Sequence, residues 1–77
     1  MTKEHQPMPY SVNVQDKRRN HIRTVYVRAS SPHSAVLTAV RTAREVFRNT
    51  KACNGIATRY QWDEDTITST GNKVEFY

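Results

Sequence analysis

Only one stretch of this chain carries a helical period, and it lies between segments that alternate. Val36, Ala39, Val40, Ala43, Val46 and Phe47 recur at spacings of three and four. At about 100° per residue they form one apolar stripe. Ser31 supplies a side-chain cap, and Pro32 suits the first helical position, where a missing N–H has no partner to lose. Asn49-Thr50 weakens the helix, and Asn54-Gly55 is a pair able to take the left-handed backbone that ends one. The pattern predicts a single helix over residues 32–51. One such helix cannot enclose a core alone, so the rest of the chain has to supply a sheet for it to cover.

The flanking segments have the period that this requires. Met8, Tyr10, Val12 and Val14 alternate with Pro9, Ser11, Asn13 and Gln15, the pattern of a half-buried strand. Pro9 cannot donate to a ladder, so it belongs at an edge or at the strand's beginning. Residues 22–29 are rich in β-branched and aromatic types and form a second strand. Asp16-Lys17-Arg18-Arg19-Asn20 is the polar loop of a hairpin between the two. Ile56, Thr58, Tyr60 and Trp62 alternate in a third strand, and Asp63-Glu64-Asp65 is an acidic turn. Residues 66–70 and 73–77 are separated by Gly71-Asn72, a signature of a tight type II′ hairpin. The expected fold is α+β: an antiparallel sheet of four to five strands with one helix packed on one face, in the order β-β-α-β-β-β. It shortens to β-β-α-β-β if the last hairpin is irregular. Residues 1–7 are read as a flexible tail and residues 8–77 as one domain. Its core should bring Val36, Val40, Ala43 and Phe47 against Val12, Val14, Val25 and Val27.

A chain of 77 residues buries only about 60% of its unfolded surface, so its stability is marginal. Cys53 is the only cysteine, which excludes an intrachain disulfide and a cysteine-based zinc site. Without such staples the expected setting is reducing, that is, cytoplasmic. No apolar run is long enough for a membrane span.

The residue types that carry catalysis are sparse. His5, His21 and His33 are scattered without metal-ligand spacing, and the two glycines, Gly55 and Gly71, make no phosphate loop. Cys53 reads as a small hydrophobe before it reads as a nucleophile. Asp63-Glu64-Asp65 lacks the spacing of a calcium loop and reads as a solvated turn. No enzyme, metal or cofactor is expected.

Charge is the remaining signal. The net charge is +5, but residues 1–29 carry six Lys/Arg against two acids and residues 30–55 four against one, whereas residues 56–77 carry two against four. A cationic body with an acidic final segment attracts polyanions on one side. Arg41, Arg44, Arg48 and Lys51 recur at helical spacing beside the apolar stripe, with Leu37 in the same sector. They form either a solvated flank with cations near a helix C-terminus or an anion-facing ridge. Lys17, Arg18 and Arg19, with Arg23 and Arg28 on the next strand, form a second basic patch. It serves either to guard an edge against other chains or to bind. Tyr26 shares its strand face with Ile22, Thr24 and Arg28, and is placed to stack on a base or to anchor a protein partner.

The stretch Val25-Tyr26-Val27-Arg28-Ala29-Ser30-Ser31-Pro32-His33-Ser34-Ala35 is a strand ending in alanine, followed by a serine-capped helix; a short terminal sheet comes after it. In size and element order this resembles small phage-encoded host-takeover proteins, among them certain anti-CRISPR proteins and RNA-polymerase inhibitors. The resemblance implies steric inhibition of a protein or nucleoprotein machine through the basic surface, and it carries no residue across. Two other readings stay open: a direct DNA- or RNA-binding protein, and a self-associating structural or antitoxin subunit using its edge strands, so that the chain is a monomer or a homodimer. The recognised helical and RNA-recognition modules need element sets that this pattern lacks.

Overall fold

The computed structural model describes residues 7–59 together with 76 and 77. Strand β1, Met8–Gln15, turns through a short loop into β2, His21–Ala29. Helix α1, Pro32–Glu45, follows, and then β3, Asn54–Arg59. The strands form one antiparallel sheet in the order β2-β1-β3. The first strand is therefore central, β2 and β3 run parallel to each other on its two sides, and α1 crosses over the sheet between them. The described residues make an α+β fold with one helix and three strands. The expected fourth strand, most of the fifth, the last residues of the third, the acidic turn, the Gly71-Asn72 hairpin and most of the N-terminal tail lie outside them; Phe76 and Tyr77 are described but are not part of a strand.

Alternation in β1 and β2 sorts their faces as expected. Tyr10, Val12, Val14, Val25, Val27 and Ala29 are buried under the helix. Ser11, Asn13 and Thr24 face the other way, where the Thr24 hydroxyl donates to Asn13 Oδ1 at 3.0 Å. Pro9 is at the strand's beginning, one residue beyond the β3 ladder, which starts at Tyr10 opposite Arg59. One position departs from simple alternation. The β1–β2 register shifts between Val14 and Gln15, pairing Val14 with Arg23 but Gln15 with His21. This bulge makes Ile22 the extra residue and turns it toward the core, so it does not share the face of Tyr26.

The helix meets these valines with its smallest residues. Ala35, Ala39, Thr42 and Ala43 are buried, while Val36 and Val40 flank the contact half-buried. Alanine lets the helix sit close to the sheet, which shuts Val12, Val14 and Val27 fully from water. Each buried valine contributes about 1.5–2 kcal/mol by area. The helix begins as predicted: Ser31 is extended, and its Oγ accepts from the Ser34 N–H at 3.1 Å.

The helix ends at Glu45, six residues before the expected Lys51. The Thr42 carbonyl accepts from both Val46 and Phe47, and the Asn49 N–H reaches back to the Ala43 carbonyl at 2.7 Å. Arg48 takes the left-handed backbone, φ 60°, which a helix terminus ordinarily assigns to glycine or asparagine. Val46 is accordingly 53% exposed rather than part of the buried stripe. Gly55 is not a helix cap. It lies in β3 with ordinary backbone, where a β-carbon would come within 2.8 Å of Val12 Cγ1 and 3.1 Å of the Asn13 carbonyl oxygen.

The C-terminal residues close the outer edge of β2. The Tyr77 N–H donates to the Tyr26 carbonyl, and the Arg28 N–H donates to the Tyr77 carbonyl, the pattern of a parallel neighbour. Phe76 meets Tyr26 edge-on with ring centres 6.1 Å apart, and Tyr77 meets Phe47 in the same manner at 5.6 Å. Arg28 lies over Phe76 and Arg23 over Phe47, at 4.7 and 3.8 Å from the ring centres.

Two outcomes test this packing. Gly55→Ala should destabilise the fold by about 1–3 kcal/mol, because Val12 is buried and cannot retreat; a melting curve that overlays the parent would refute the close approach. Phe47→Ala removes a half-buried ring with an arginine and a tyrosine against it. It should cost about 2 kcal/mol, below the usual loss for a fully buried phenylalanine. In a double-mutant cycle by chemical denaturation, Phe47→Ala should cost less in an Arg23→Ala background than in the parent.

Candidate functional site: a basic groove between the hairpin tip and the helix end

Asp16 shapes the hairpin tip. Its Oδ1 accepts from the backbone N–H groups of Arg18 and Asn20, each at 2.9 Å, and its Oδ2 from the Asn20 side-chain amide at 3.4 Å. The Arg19 N–H closes a turn onto the Asp16 carbonyl, and Arg19 takes φ 68°. This is a three-residue hairpin loop, a turn followed by a left-handed residue. The Asp16 carboxyl is held below its ordinary value, chiefly by the Asn20 N–H. Partial loss of water opposes this, while the Arg18 N–H, the Asn20 side chain and the charge of Lys51 add to it. The acid is thereby committed to the loop, and Lys17, Arg18 and Arg19 project from it exposed.

The second wall is the turn after α1. The Arg44 Nε donates to the Ala52 carbonyl at 2.6 Å, and the Cys53 N–H donates to the Gln15 carbonyl at 3.0 Å. The first bond folds the turn against the helix, and the second fastens it beside the hairpin. The two walls enclose an open cavity of about 650 Å³, with Lys17 and Arg18 on one side and Arg44 and Lys51 on the other. Asp16, Thr50 and the exposed thiol of Cys53 also line it. A cavity of about 210 Å³ continues it past Thr50 and Lys51 to Arg48 and Asn49. Another, of about 340 Å³, continues it past Arg44 and Cys53 to Arg41 and Leu37.

Parts of the two basic patches expected from the sequence thus meet at one cavity, which Arg19 does not line. Lys17, Arg18, Arg44 and Lys51 are brought together, with Arg48 and Arg41 at the two exits. Leu37 is 55% exposed beside Arg41. The structure places Arg23, Arg28 and Tyr26 elsewhere, each against an aromatic ring of the C-terminal clasp or the helix end. Arg44 is exposed as expected, yet its bond to Ala52 gives it a structural role as well. Asp16 and Thr50 were not among the expected site residues. The spacing of Asp16 and Asn20 around a basic tripeptide is the signal for the first; no pattern marked the second.

Among the described residues no three His, Cys, Asp or Glu side chains group to hold a metal ion, and no helix is long and apolar enough to cross a membrane. No protein-family model matches the chain, and neither does any curated protein or solved structure.

The depressed Asp16 carboxyl gives the site an acid dependence. A group whose value is lower in the folded state adds stability above its unfolded value, about 3.9, and loses that contribution as pH falls through the folded value. The amide resonances of Arg18 and Asn20 should therefore titrate together with a midpoint below about 3.9, and Asp16→Asn should abolish the transition. A midpoint above that value would contradict the arrangement.

Proposed function

We propose that the chain is a non-enzymatic binding module that seats an anionic partner surface on its basic groove. Its mode of action would be to occupy that surface, as an inhibitor of a protein or nucleoprotein machine does. One observation carries the reading: segments far apart in the chain, the hairpin tip and the turn after α1, converge on a single cavity lined by four cations. The one carboxylate among the described residues lining that cavity is already engaged by backbone N–H groups. Clustered like charges repel one another, and a partner of opposite sign relieves that repulsion while being drawn in at long range. Among the described residues the groove holds donors and cations that fix a ligand, with Asp16 tied to the loop and Glu45 beside Arg41, which supports retention of a ligand.

The groove also decides which variants test the reading. Arg44→Glu would remove the bond to Ala52 along with the charge and confuse folding with binding. Lys51→Glu changes an exposed groove cation whose contact with the fold is a minor charge effect on Asp16, and Arg59→Glu makes the same charge change on β3, outside the groove. Lys51→Glu should elute from immobilised heparin at markedly lower salt than the parent. Its affinity for a soluble polyanion at about 0.1 M salt should fall about tenfold or more, because it puts like charge against like. Arg59→Glu should lose far less, and both should melt like the parent. Equal losses for the two variants would mean that net charge, not the groove, governs binding.

A further inference from the structure

The groove is a track rather than a point. Its three cavities adjoin in sequence: the first contains Arg48, shares Thr50 and Lys51 with the second, and the second shares Arg44 and Cys53 with the third, which contains Arg41. A single carboxylate cluster would fill one of these spaces. A run of cations along a continuous groove fits a ligand with negative charge repeated along its length.

Two backbone observations bear on the groove and the hairpin tip beside it independently of charge. Arg19 and Arg48 are the only non-glycine residues with positive φ among the described residues, at 68° and 60°. Each stands where glycine or asparagine is favoured, one at the αL position of a hairpin loop and the other at a helix terminus. For a long side chain this conformation is strained. Neither side chain repays the strain within the fold, since neither makes a hydrogen bond or ion pair with another described residue. Arg19 stands at the hairpin tip beside Lys17 and Arg18 and lines none of the three cavities, whereas Arg48 lines the first of them.

Resting on the reading of the groove as an anion seat, we infer that its ligand is the phosphodiester backbone of a nucleic acid, with Arg48 as its contact at one exit and Arg19 as a contact at the hairpin tip, beside the cavity wall formed by Lys17 and Arg18. Phosphates recur along a strand, and arginine offers a planar fork of donors to each. Among the described residues the three cavities are lined by cations, by aliphatic and polar side chains and by the carboxylates of Asp16 and Glu45, without an aromatic ring, so the contact is to the backbone and independent of sequence.

The test sets stability against binding. Arg48→Gly and Arg19→Gly should each raise the melting temperature by about 2–5 °C, by releasing strain. Each should also weaken binding to a fluorescent oligonucleotide of roughly 20 nucleotides by about threefold to tenfold at 0.1 M salt. The slope of log affinity against log salt should shrink by about 0.9 for a duplex or 0.7 for a single strand, one phosphate's share. DNA and RNA, single-stranded and duplex, are the four arms, and the tightest identifies the source of the backbone. A variant that leaves affinity and slope unchanged, or that lowers the melting temperature, overturns the role given to that arginine. If no oligonucleotide binds but poly-glutamate does, and Lys51→Glu abolishes that binding, the anion seat stands and the phosphodiester inference fails. If neither polymer binds at about 50 mM salt, both fail.

Discussion

The alanine face of α1 rests on the valines of β1 and β2, and the closeness of that contact sets the geometry of everything else. Ala35, Ala39 and Ala43 carry a single methyl group each and are fully buried. The apolar volume of the core comes from the sheet, which places Val12 and Val14 on its central strand. β3 completes the arrangement with Gly55 and Ala57 on the same side, opposite Val14 and Val12. Small residues on two of three surfaces let a core built on four fully buried valines shut out water in a chain of this size.

The same closeness explains how the helix ends. A helix lying tight on the sheet must turn back sharply to deliver the chain to β3, on the far side of β1 from β2. The turn is made by the doubly used Thr42 carbonyl, the left-handed Arg48 and the Arg44 bond to Ala52. It lands beside the β1–β2 hairpin because the Cys53 N–H joins the Gln15 carbonyl, next to Asp16. The basic groove is therefore a consequence of the crossover. Any fold that carried α1 over β1 into a strand paired with β1 would bring the helix end and the hairpin tip to the same end of the sheet.

What could be read from the sequence follows from how local each signal is. The β1 and β2 alternation, the Ser31 cap and the charged hairpin loop depend on neighbouring residues, and each matches the structure. The helix end did not, because its signals are carbonyl sharing and a left-handed arginine, and neither belongs to a residue type that marks a stop. The apolar period continues through Val46 and Phe47 although the backbone has already turned; Phe47 is held against Arg23 and Tyr77 from outside the helix. The bulge at Ile22 and the close approach at Gly55 are properties of strand pairing, which a single segment does not encode. The groove was legible as two patches of cations. Their union depends on sheet order, with the first strand in the middle, and no periodicity reports that.

Asp16 shows how a site of one sign can persist in a marginal fold. Three cations at a hairpin tip repel each other and would splay an unsupported loop. Here a single carboxylate is placed under them, fixed to two backbone N–H groups and near Lys51. It lowers the repulsion while holding the loop's shape, and because its oxygens are engaged it competes weakly with an incoming anion. Removing it would cost geometry as well as charge. Adding a second acid to the central cavity would weaken its field, with two carboxylates against Lys17, Arg18, Arg44 and Lys51. The arrangement keeps the field strong at the surface and the backbone beneath it ordered, which is what a preformed anion seat needs, since a loop ordered only on binding would give up part of its affinity to that ordering.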